Sequence, residues 1–319
     1  MTELLRPINW NRVEDPVDKD VWDRLTTNFW IDTKVPLSND LPSWRTMNPD
    51  EQDLIMKVFA GLTLLDTIQG GLGAPLMMPD SLTPHEEAVL GYITFNEMVH
   101  AKSYSSIFST LADTPRIDAA FEWSEQNEYM QYKANRIAEF YKGDDPLKRK
   151  SASVILESVL FFSGFYAPFY FSARGKITNT GDIISLILRD EAIHQYYVGY
   201  KYQRMMDHLG LSAEVRQQYE DDLYDLLDDL MENEAKYTET LYDPLGLTAD
   251  VKAYSRYNAN RALMALGYQA LYPREDTKFD AAIMAYMDPT SNQNHDFFSG
   301  VGSSYQLIEA DISDEDWEF

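Results

Sequence analysis

Two of the five histidines in this chain of 319 residues stand three residues after a glutamate: Glu97-Met98-Val99-His100 and Glu191-Ala192-Ile193-His194. On a helix, residues i and i+3 share a face, so each pair presents one carboxylate and one imidazole to the same point. A single such pair is ordinarily a surface feature, but the wider pattern is more specific. Asp66 precedes Glu97 by 31 residues and Glu157 precedes Glu191 by 34, each inside an apolar run, GLTLLDTI and SVILESVLFF. The chain thereby repeats one unit: a helix with a carboxylate on an apolar face, then a helix with Glu-x-x-His. Four such helices meeting in a bundle bring Asp66, Glu97, His100, Glu157, Glu191 and His194 together, the ligand set of di-iron and di-manganese carboxylate proteins. Hard O and N donors suit Mn and Fe, and four carboxylates neutralise two divalent ions. This donor set does not choose between the two metals.

Tyr104 lies one turn beyond His100 on the same face. Its spacing fits a core tyrosine, a hydrogen-bond donor to the centre, a ligand or a redox group. The other histidines lack this context. His85 is expected at the surface near a helix start, His208 as the cationic partner of a helix C-terminus, and His295 has no assignment.

The elements that must position these residues are helices. Thr83-Pro84-His85-Glu86 reads as an N-cap, a first-turn proline and a capping-box glutamate, opening a helix to about Leu111. Asp145-Pro146 opens another, ending near Gly175. A third spans about 182–209 with Gly210 past its end. Ser212 caps a long segment closed by Asp243-Pro244, and Thr248 caps one ending before Pro273. Residues 51–69 and 116–141 also read as helices. Strand signals are weak, so the fold class is all-α, a large bundle. Residues 1–48 are expected as an irregular N-terminal wrap, 49–287 as the bundle, and 288–319 as a flexible acidic tail.

Composition narrows the function classes. Lys+Arg number 27 against Asp+Glu 52, a formal charge of −25, so phosphate-neutralising contacts with nucleic acid or an anionic membrane are not expected. There are no cysteines, which excludes disulfides, thiolate metal sites and a Cys nucleophile. The apolar stretch 153–171 has the length of a membrane span, but Glu157 inside it argues for a core helix. MTELLRPINWN has no basic-then-apolar leader pattern, so a cytoplasmic protein is expected. The end, EADISDEDWEF, has six acids and no base, with aromatic Trp317 and Phe319. A solubilising tail does not need exposed aromatics, so a docking peptide is the expectation.

These ligands, together with Tyr104, NFWIDTKVPLSND, GLTLLDTIQ, TPHEEAVLGYITFNEMVHAKSYSSIFSTL, RDEAIHQYYVGYKYQ, NHDFFSGVGSSY and the acidic Trp-x-Phe end, resemble the small subunit of class Ib ribonucleotide reductase along essentially the whole chain. The resemblance implies a ferritin-like homodimer with a dinuclear Mn or Fe centre and a stable tyrosyl radical. The radical is sent to a catalytic large subunit for reduction of ribonucleotides to deoxyribonucleotides. It further implies that Asp66, Glu97 and His100 bind one metal and Glu157, Glu191 and His194 the other, and that Tyr104 carries the radical. Trp30 then matches the electron relay, Asp190 the link from Trp30 to His100, and Tyr305 the tail tyrosine that bridges to the large subunit. Phe161, Phe165 and Ile187 match the apolar pocket around the radical. Class Ib members typically use dimanganese with a flavodoxin-like activating protein. Phe162 departs from the Tyr of some members, near the implied oxidant channel beside Glu157 and Ser158. The rival readings are a di-metal oxygenase or desaturase of the same fold, which would not need Trp30, Tyr305 or the tail, and a shorter ferritin-like storage protein.

Overall fold

A computed structural model of the chain describes residues 6–287, and among these all regular elements are helical. In chain order they are α1 (Pro16–Thr27), α2 (Leu41–Trp44), α3 (Pro49–Ile68), α4 (Ala74–Met77), α5 (Pro84–Leu111), α6 (Thr114–Gln126), α7 (Glu128–Lys142), α8 (Pro146–Ile155), α9 (Phe162–Ser172), α10 (Thr178–His208), α11 (Ala213–Tyr242), α12 (Thr248–Ala265) and α13 (Ala281–Met287). Tyr305, His295 and the acidic end lie outside the described residues.

Local signals account for most helix starts. Asn48 and Glu51 form a reciprocal capping box at α3, with bonds of 2.9 and 3.0 Å, a device worth about 1 kcal/mol. Thr83 caps α5 by accepting the Glu86 N–H. Glu86 does not close a capping box. Its carboxylate reaches back to the Leu82 N–H and accepts a 2.7 Å bond from buried Lys150. α5 then buries Leu90, Ile93, Glu97, His100, Tyr104, Ile107 and Leu111 along one stripe. Spacing by threes and fours is what a core-facing helix requires.

Several expectations are corrected. Residues 1–48 are not wholly irregular, because Asp15 caps α1. The segment expected as one helix over 116–141 is two, since Asn127 adopts extended backbone and caps α7 itself. α10 starts at Thr178 rather than 182, because Asp40, far away in sequence, accepts the N–H groups of Asn179 and Thr180 at 3.0 and 2.7 Å. α12 begins at Thr248, but Thr248 is not its cap; its hydroxyl bonds Asp243 instead, and the helix stops at Ala265. Between α8 and α9 the helix opens into a single π turn, Leu156–Leu160, and a second π turn, Gln69–Gly73, follows α3. His85 is buried rather than on the surface. The N-terminal segment covers it, with its Nε2–H donating to the Asn9 carbonyl and the Trp10 ring 4.7 Å away. His208 sits exposed in the last turn of α10, as expected.

The core also holds paired charges. Lys133 on α7 and Glu234 on α11 meet at 2.8 Å, both buried, and Ser163 on α9 donates to the same carboxylate. Lys201 on α10 reaches Asp15 and Asp18 at 2.8 and 2.5 Å, joining α1 to the bundle. Burying such ions is tolerable only with partners in place.

Candidate metal centre

Four elements converge at the centre of the bundle. α3 brings Asp66, α5 brings Glu97, His100 and Tyr104, the π turn after α8 brings Glu157, and α10 brings Asp190, Glu191 and His194. All are buried. π turns displace a side chain from the regular helical face and recur at functional sites, and here one carries Glu157. Gly70 permits the close approach of the other π turn to α5: a Cβ there would stand 2.9 Å from the Glu97 Cβ.

The six residues form two overlapping groups: Asp66, Glu97, His100 and Glu191, and Glu97, Glu157, Glu191 and His194, with donor atoms in each group within 4.8 Å of one another. His100 Nδ1 lies 3.0 Å from Glu191 Oε1, and His194 Nδ1 lies 2.9 Å from Glu97 Oε1. The family resemblance assigns Glu97 to one position and Glu191 to the other. The geometry shares both between the two positions, because α5 and α10 face each other across the centre.

The donor set fits a pair of hard cations. Every carboxylate oxygen of Asp66, Glu97, Glu157 and Glu191 except Glu157 Oε1 lacks a hydrogen-bond partner, as do both Nδ1 atoms. Buried polar atoms are rarely left so. The protein's own charges are strained accordingly. Burial, and then the charge of Glu97, push Asp66 well above the usual carboxylate range. Burial likewise raises Glu157. Burial also works against Glu97, but the two imidazoles outweigh it and lower it to about 2. Burial opposes the imidazolium at His100 and His194, yet the surrounding carboxylates prevail and raise both well above the ordinary value. Cations would replace those protons.

Beyond the ligands, the Trp30 N–H donates to Asp190 Oδ2 at 2.7 Å, and the His100 Nε2–H approaches the same oxygen at 3.3 Å. The Trp30 and His100 rings are 6.0 Å apart and nearly parallel. The hydroxyl of fully buried Tyr104 has no hydrogen-bond partner. Burial, and then the charge of Asp66, hold its phenol well above its ordinary range. Phe59 stacks on Tyr104 at 5.5 Å, a neighbour the sequence did not single out. Phe161, Phe165 and Ile187 are fully buried. Sequence reasoning also missed Gln69 and Ser153, which bond Glu157, and Tyr141, which bonds Gln69. Gln69 falls three residues after Asp66, a spacing that was available as a signal.

The profile described as ribonucleotide reductase, small chain, matches residues 7–279. The chain belongs to this family. It is 57% identical over 321 residues to the ribonucleoside-diphosphate reductase subunit beta nrdF2 of Mycobacterium tuberculosis (strain H37Rv), covering all of this chain and 98% of the relative. It is 56% identical to the ribonucleoside-diphosphate reductase 2 subunit beta of Escherichia coli (strain K12), over 98% of each chain. The X-ray structure of the dimanganese(II)-NrdF of Streptococcus sanguinis superposes with a TM-score of 0.86 at 47% identity, over 89% of this chain and all of that one. The bundle is thus a ferritin-like small subunit, whose partner is the catalytic large subunit. The oxygenase alternative finds no support among these relatives. The segment Pro146–Ser172 is long and apolar enough to cross a membrane, but 94% of its most apolar window is buried inside the bundle.

Proposed function

We propose that the chain holds a dinuclear manganese or iron centre, keeps a stable radical on Tyr104, and passes it to the large subunit through Trp30 and the C-terminal Tyr305. The observation that carries this is the continuous contact from the shared carboxylates through His100 and Asp190 to Trp30. Asp66, Glu97, His100, Glu157, Glu191 and His194 would hold the metals, with Glu97 and Glu191 serving both. The metal pair, when bound, supplies the one-electron oxidation of Tyr104. Tyr104 would give up an electron to that pair and its phenolic proton to Asp66, the carboxylate whose charge acts most strongly on the phenol and which cations keep ionised. Its burial keeps water and reductants away, with Phe59, Phe161, Phe165 and Ile187 contributing apolar, oxidation-resistant surroundings. Asp190 accepts the Trp30 N–H and so holds the indole against His100.

The relative described as dimanganese(II) favours manganese here too, and with it a flavodoxin-like activating protein as the source of oxidant. A homodimer is supported by exposed Phe29, Phe95 and Met98 beside the Trp30 segment, with the Phe29 and Phe95 rings stacked at 6.0 Å. Such clustered apolar exposure marks an interface. A cytoplasmic site follows from the nucleotide substrates of the partner subunit. The test is electron paramagnetic resonance and metal analysis of protein purified from its own host. The expected result is two Mn or Fe per chain and a tyrosyl signal; active protein without either would overturn the reading. Deleting residues 309–319 should leave both intact and abolish turnover with the large subunit. An eleven-residue peptide of that sequence should inhibit the intact pair, less strongly at high salt.

A further inference from the structure

Glu157 differs from the other carboxylates of the centre in being held from behind. The Gln69 side-chain amide donates to Glu157 Oε1 and, at 2.9 Å, to the Ser153 hydroxyl. The Tyr141 hydroxyl donates to the Gln69 carbonyl, and Ser153 Oγ lies 3.2 Å from Glu157 Oε1. All four residues are buried. The direction of the chain is dictated by chemistry. A carboxylate that ligates a cation is ionised and only accepts, so in the metal-bound state the amide must turn its NH2 to Glu157 and its oxygen to Tyr141, which must then donate. The backbone is shaped for it, since Gln69 begins one π turn and Glu157 rides on the other. Gly73 closes the first of these: a Cβ there would overlap the Gln69 carbonyl oxygen and stand 2.7 Å from the Tyr141 ring. Across the centre, Asp66 has no comparable support, and both its oxygens lack partners. The consequence is that Glu157 Oε1 is occupied and only Oε2, 3.6 Å from His194 Nδ1, faces the other ligands.

We infer that Gln69, oriented by Tyr141, is a positioning residue that confines Glu157 to one free oxygen and so sets the cation affinity of the His194 side of the centre independently of the His100 side. This rests on the metal-centre reading and adds an asymmetry to it. Residues that orient a metal ligand typically contribute about 10- to 100-fold in affinity.

The test is a Mn(II) titration of the full chain by calorimetry and electron paramagnetic resonance, without activation or turnover. Wild type should bind two ions per chain; fewer would defeat the metal-centre reading itself. Given two, Gln69→Leu should weaken one binding step by about 10- to 100-fold and leave the other within about threefold. Tyr141→Phe, which removes a single hydroxyl, should weaken the same step by less, because the amide remains but is free to flip. His194→Ala identifies the step. In that background one ion remains on the His100 side, and adding Gln69→Leu should not change its affinity. Equal weakening of both steps, or no weakening in either variant, would overturn the inference. So would an effect of Gln69→Leu that persists in the His194→Ala background.

Discussion

Replacing Tyr104 by Phe should raise the stability of the metal-free protein while abolishing its function, and the opposite signs make the test sharp. The phenolic oxygen is fully buried without a hydrogen-bond partner, and a buried hydroxyl left unsatisfied costs about 1–3 kcal/mol. The ring keeps its stacking on Phe59 at 5.5 Å in the variant, so no packing is lost. Unfolding entropy of about 2.1 cal/mol/K per residue gives about 0.7 kcal/mol/K for a chain of this length. The expected rise in the melting midpoint is therefore about 2–4 °C. Scanning calorimetry of the metal-free protein reads the stability. Resonance spectra and turnover with the large subunit read the function, and both the tyrosyl signal and nucleotide reduction should be absent. A lowered midpoint would show that the hydroxyl is bonded after all. A surviving radical would place it on another residue.

Glu191→Ala should weaken both metal positions, because its oxygens belong to both groups, whereas Asp66→Ala should weaken one. Metal analysis after Mn(II) loading distinguishes them, and equal stoichiometry in the two variants would contradict the shared geometry. Metal binding should release protons. His100 and His194 are raised above the ordinary imidazole value and Asp66 and Glu157 above the carboxylate value, so these groups hold protons that cations must displace. Apparent affinity then climbs as pH rises through the raised values of these groups, and the binding heat should depend on the ionisation enthalpy of the buffer; a buffer-independent heat would refute the protonation pattern. Lys133→Met should cost about 3–5 kcal/mol by leaving buried Glu234 without its cation, and Lys133→Met combined with Glu234→Gln should recover most of that in chemical denaturation. Failure of the second change to rescue would mean that packing, not charge, dominates there.

The sequence by itself determined what is local. Asn48, Thr83, Asp145 and Ser212 start helices because a cap is satisfied within three residues of its own position. The Glu-x-x-His pairs were legible because i and i+3 share a face whatever surrounds the helix. The apolar runs around Asp66 and Glu157 announced that their carboxylates would be buried. What only the tertiary structure decided are relations between distant segments. Asp40 advances the start of α10 across some 140 residues of chain, and the Trp30–Asp190 bond, which the family resemblance implied but no local rule could, closes over a separation of 160. The N-terminal segment buries a histidine that local rules put at the surface. The sharing of Glu97 and Glu191 depends on how closely α5 and α10 approach, and the support of Glu157 by Gln69 on two π turns facing each other. Neither is a property of any window of sequence. Hydrogen bonds within a helix depend on neighbours a turn away. The placement of an acid between two imidazoles is set by the packing of whole helices, where several elements must fit at once.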